Sequence, residues 1–90
     1  MVTWRPMAKP AKPLRTAVLH LQAGEWEEAH SIVQEDESSP MSCWAHGIVH
    51  LQEGDVENAR YWFNRAKRPF SKDVAAQLVA LATAVSELPA

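Results

Sequence analysis

The chain has 90 residues, 47% hydrophobic and 22% charged, with one cysteine and a formal net charge of −2. This length makes a single domain that buries roughly 60–65% of the surface its unfolded form exposes. It holds no run of about 18 apolar residues, which excludes a transmembrane helix, and the lone Cys43 excludes an internal disulfide and suits a reducing cytosol.

In chain order, residues 1–13 carry Pro6, Pro10 and Pro13 beside Arg5, Lys9 and Lys12. No apolar segment follows the charges, so the pattern predicts an extended Pro-rich arm and not a secretory signal. Leu14, Ala17, Val18 and Leu21 then fall at i, i+3, i+4, i+7, one face of a helix. Gly24 ends it, and a second helix is predicted over about 26–34, which makes residues 14–35 the first hairpin. A polar loop with a Pro stop leads to a third helix beginning at Pro40 or Ser42. Trp44, Gly47, Ile48 and Leu51 repeat the first helix's spacing, Gly54 ends it, and Asp55 caps a fourth helix predicted over 56–67, before Pro69. Residues 41–68 are therefore the second hairpin. Ser71 is the expected cap of a final helix over 72–88, with Asp73 in its first turn and Val74, Leu78, Leu81 and Val85 along one stripe. The expected fold is all-α: two helical hairpins and a C-terminal capping helix, about five helices in one domain over 14–88.

The hairpins are copies. Leu21-Gln22-Ala23-Gly24 recurs as Leu51-Gln52-Glu53-Gly54, His20 as His50 and Ala29 as Ala59, all at an offset of 30 residues. The apolar pairs Leu14/Trp44, Val18/Ile48, Trp26/Val56, Ile32/Trp62 and Val33/Phe63 keep that offset. Ala17 and Gly47 put a small residue at the same place in each copy, where the two helices of a hairpin can approach closely. A fixed period in this range is the signature of a helical-hairpin repeat.

These residues resemble a tetratricopeptide-type repeat over about 14–68. Ala17, Gly24, Trp26 and Ala29, then Gly47, Gly54, Val56, Ala59, Phe63 and Ala66, hold the places where that family has its small, turn and aromatic positions. The period departs from the family's 34, and His20 and His50 stand where the family usually has Tyr. The resemblance implies a concave surface formed by the first helices, exposing Leu14, Val18, Trp44, Ile48, Leu51 and Gln52 to a peptide or partner protein; with only two hairpins the groove is short, and the alternative is that the final helix fills it and makes those side chains core. The stretch from Trp44 to Ala66 is also similar to small uncharacterised bacterial proteins, which implies a bacterial, cytoplasmic protein and brings no activity.

Charge is segregated behind the near-neutral total. Every Lys and Arg lies within 5–15 or 60–72, and positions 25–37 hold six acidic residues and no basic one. An acidic middle argues against nucleic acid as a partner, which needs a concentrated basic patch. It fits solvated helix faces or a charge-marked partner surface.

Two groups of residues carry candidate function. Tyr61, Trp62 and Phe63 are consecutive and cannot share one helical face, so Tyr61 or Trp62 is expected to turn outward as an interface residue, self-association into a homodimer included. Trp44, Ile48, Gln52, Tyr61 and Trp62 are the expected partner-binding residues. Cys43, His46 and His50 follow i, i+3, i+7 on one stripe. A thiolate and two imidazoles can hold zinc or a softer metal, with His20 or His30 as a fourth ligand. The repeat also accounts for His20 and His50 as equivalent packing positions. No phosphate loop, nucleophile elbow or zinc-protease motif is present, so no catalytic residue and no cofactor is assigned. The leading expectation is a non-catalytic protein–protein interaction module, and the alternative is a small metal- or ligand-binding protein using Cys43, His46 and His50.

Overall fold

The computed structural model describes residues 11–89. Of the arm expected over 1–13, positions 1–10 lie outside the described residues. The described chain forms α1 (Ala11–Gln22), α2 (Trp26–Val33), α3 (Pro40–Glu53), α4 (Val56–Arg65) and α5 (Val74–Ser86), with no strand among the described residues. The fold class is all-α. No helix among the described residues is long and apolar enough to cross a membrane.

Local chemistry sets the helix ends. α1 begins at Ala11, so residues 11–13 are helical and not extended. Pro13 sits in the first turn, where a missing N–H costs no intrahelical hydrogen bond. Gly24 and Gly54 adopt φ of 77° and 95°, the left-handed conformation that closes each hairpin. In both copies the residue after the glycine donates its N–H to the histidine carbonyl five positions back, Glu25 to His20 at 2.8 Å and Asp55 to His50 at 2.9 Å. Ser39 caps α3 by accepting from the Ser42 N–H, with Pro40 at the first helical position. Asp55 caps α4 by accepting from the Asn58 N–H at 3.2 Å. The cap of α5 is Asp73, which accepts from the Ala76 N–H at 3.0 Å; Ser71 instead accepts from the Asp73 N–H at 3.1 Å and shapes the approach. α4 ends differently from α1 and α3. Its left-handed residue is Lys67 at φ 59°, in a turn closed by the Arg68 N–H on the Phe63 carbonyl at 3.0 Å.

α3 is the central element. It packs against the other four helices, whereas α2 and α4 lie on either side of it without touching. Its residues from Ser42 to His50 are consequently all buried. Leu21, Val33, Ile48, Val49, Phe63 and Leu81 form the heart of the core. Gly47 is required where α3 meets α4. A Cβ there would stand 2.5 Å from Cδ1 and 2.7 Å from Cε1 of the Phe63 ring.

α5 packs on α1 and α3 and covers the face expected to be concave and open. Trp44 and Ile48 are buried at 3% and 0% exposure. The Trp44 indole N–H donates to the Gln77 side-chain oxygen of α5 at 2.9 Å. Gln52 donates to the Leu21 carbonyl at 2.7 Å and so ties the second hairpin to the first. The apolar stripe of α5 is the reason: left without a partner it would face water, and the first-helix face is the surface that buries it.

Candidate metal centre

Three histidines meet between the hairpins. His46 and His50 lie one turn apart on α3, and His30 reaches them from α2. Their ring centroids are 4.9 Å apart for His30–His46, 5.3 Å for His30–His50 and 5.1 Å for His46–His50. Each ring offers one nitrogen, and these three nitrogens all lie within 4.8 Å of one another. Three nitrogens at roughly 2.0–2.1 Å from a tetrahedral zinc stand about 3.3 Å apart. Small side-chain rotations that draw the rings inward therefore close the set around an ion.

The surroundings orient each ring. Trp62 lies flat against His46, with centroids 3.8 Å apart and planes 7° from parallel, and fixes the plane of that imidazole. His46 is 3% exposed, and its Nδ1 is buried without a hydrogen-bond partner among the described residues. Such an orphan costs of order 1–3 kcal/mol, which a metal ion in contact with the nitrogen would relieve. Burial, reinforced by the neighbouring His50 and His30, pushes the His46 pKa down to about 3, so the ring is neutral near pH 7 and its lone pair is available. His50 Nδ1 meets the Glu53 carboxylate at 2.7 Å. A neutral His50 donates its Nδ1–H there and keeps the Nε2 lone pair for a metal. A carboxylate behind a ligating imidazole is the usual support of a metal-bound histidine. His30 is half-buried and is the most accessible ring of the three.

With these positions in place, no family model, no curated protein and no solved structure matches the chain. The resemblance to tetratricopeptide repeats therefore rests on the residues quoted above.

The sequence-predicted site residues divide sharply. His46 and His50 come together as expected. Cys43 does not join them: it is buried, and its thiol donates to the Glu37 carbonyl at 3.4 Å at the start of α3. His30 takes its place as the third member of the cluster. Its position carries no local signal, because it depends on how α2 leans on α3. His20 lies outside the group and pairs with Glu25 at 2.7 Å. Of the expected partner-binding residues Trp44, Ile48, Gln52, Tyr61 and Trp62, only Tyr61 is exposed, at 51%. Trp62 is buried and serves the histidine cluster instead. The largest cavity near α1 and α2, about 430 Å³ and lined by Leu14, Ile32 and Val33 among others, shares no residue with the histidines.

Proposed function

We propose that the protein binds one transition-metal ion through His30, His46 and His50. The observation that carries this reading is the convergence of three ring nitrogens within 4.8 Å. The unpartnered, buried Nδ1 of His46 and the carboxylate behind His50 support it. Three neutral nitrogen donors suit Zn²⁺, Ni²⁺ or Cu²⁺ and do not suit Mg²⁺ or Ca²⁺, which require oxygen. The ion would join α2 of the first hairpin to α3 of the second, so binding and the packing of the hairpins are coupled. The chain has no other assigned chemistry, and the reading is of a binding protein and not an enzyme. A single buried cysteine and the similarity to small bacterial proteins support a reducing bacterial cytosol as its setting.

The test is calorimetric titration of tag-free protein with Zn²⁺ and Ni²⁺, with elemental analysis of the dialysed product. One ion per chain is expected. His30→Ala and His46→Ala should abolish binding while retaining the helical circular dichroism, and His20→Ala should leave binding unchanged. Metal content well below one ion per chain, or binding that survives both substitutions, refutes the proposal.

A further inference from the structure

Two oppositely charged sets of exposed side chains lie apart on α2 and α4 among the described residues. Glu28, Ser31 and Glu35 follow one stripe on the outer side of α2, and all three are exposed. Across the molecule, Arg60 and Asn64 are exposed on α4, and Arg68 is exposed just beyond the left-handed turn that follows it. α2 and α4 make no contact with each other, because α3 stands between them. The close ion pairs His20–Glu25 and His50–Glu53 involve none of these residues.

The basic surface is also pre-shaped. Glu57, Arg60, Tyr61, Asn64, Arg68 and Phe70 line a groove of about 420 Å³, in which the two arginines outweigh the one carboxylate. The Arg60 guanidinium lies 4.2 Å over the Phe70 ring, and the Arg68 guanidinium 3.5 Å over the Trp44 ring. Stacking holds each guanidinium in place by its face and leaves its edge N–H donors, the fork that grips a carboxylate. Fixing an arginine in advance removes much of the ordering entropy that an exposed ion pair otherwise spends.

We infer that the chain associates with itself head to tail, the acidic outer stripe of α2 of one copy seating on the Arg60–Arg68 groove of the next. The partner is a second copy because the same chain supplies the complementary charge, and none of Glu28, Glu35, Arg60 and Arg68 is in an ion pair among the described residues. The contact is heterologous, so successive copies add in rows and do not close into a two-fold dimer. This inference is independent of the metal reading.

Sedimentation velocity of tag-free protein with a chelator present tests it. The weight-average sedimentation coefficient should rise with protein concentration at about 20 mM NaCl and return to the monomer value at about 500 mM, where screening falls to a few ångströms. Arg60→Glu with Arg68→Glu, and separately Glu28→Lys with Glu35→Lys, should each remain monomeric at low salt. An equimolar mixture of the two variants should associate again, because each supplies the charge the other lacks. A wild-type monomer at low salt overturns the inference. So does failure of the folded variants to re-associate when mixed. Association that persists at high salt overturns it as well, and would point to exposed apolar residues such as Leu19 and Val79.

Discussion

Gly47→Ala probes the tightest contact between α3 and α4. In an exposed helix this substitution stabilises by about 1 kcal/mol, because Ala restricts the unfolded chain and favours the helix. Here the new methyl would stand 2.5 Å and 2.7 Å from two Phe63 ring carbons and 3.3 Å from the Ala59 carbonyl oxygen. Phe63 has no exposed surface, and the edge of Phe70 abuts it at a centroid distance of 5.4 Å, so the ring has no free direction in which to retreat. Overpacking of this kind costs about 1–3 kcal/mol. Subtracting the helix gain leaves a net loss of up to about 2 kcal/mol, or up to roughly 15 °C in Tm for a domain of this size. Thermal and urea denaturation followed by circular dichroism measure it. In a Phe63→Leu background, where the ring is gone, the same substitution should become neutral or stabilising. A Gly47→Ala protein more stable than wild type by the full helix gain of about 1 kcal/mol refutes the reasoning, because the helices would then separate at no cost. Metal affinity is a second readout: wider α3–α4 spacing lifts Trp62 from His46 and loosens the ring it holds.

Three further outcomes follow from the helix ends and the buried histidine. Lys67→Gly should raise stability by about 0.5–1 kcal/mol in urea denaturation, because a lysine at φ 59° carries left-handed strain that glycine does not. Asp55→Ala should cost about 1 kcal/mol, read as a lower Tm, and Glu25→Ala should cost less of its cap, because the Glu25 side chain makes no capping hydrogen bond. In metal-free protein, stability should fall as pH drops from about 6.5 toward 3. His46 has its folded pKa depressed to about 3, so across that window the unfolded chain takes up a proton that the folded ring refuses. His46→Leu should flatten this slope, and an unchanged pH profile would show that His46 is not the group responsible.

The five helices are legible in the sequence to within a few residues because their signals are local. The spacing of Leu14, Ala17, Val18 and Leu21 and the glycines at 24 and 54 act over one or two turns, and the chain obeys them. The helix starts are less legible, since several side chains compete to cap. Ser71 and Asp73 both offer an oxygen, and only packing decides that α5 starts after Asp73. The destination of α5 is only half legible: the sequence leaves the first-helix groove either open or filled by this helix, and the structure takes the second course. Its small, apolar residues would suit several faces, and its choice of α1 and α3 turns Trp44 and Ile48 from expected binding residues into core. The cysteine was misleading for a related reason. The i, i+3, i+7 stripe joins Cys43 to the histidines along the axis of α3, yet one and two turns of axial rise separate them, and the nearest acceptor for its thiol is the Glu37 carbonyl.

The repeat both hides and explains the histidine site. At the constant offset, His20 and His50 are equivalent, and each meets a carboxylate at 2.7 Å, Glu25 in one copy and Glu53 in the other. Read within a hairpin, they have the same structural role. Their difference comes from what lies outside the hairpin. α3 is packed against the second helix of the hairpin before it, and His30 projects from that helix. The offset also replaces the other two members of the cluster, since His46 corresponds to Thr16 and His30 to Arg60. The three-ring cluster therefore exists once, at the junction of the two copies. An internal repeat accounts for residues that serve the repeating unit; His30 and His46 depart from it, and both lie where the two units pack on each other.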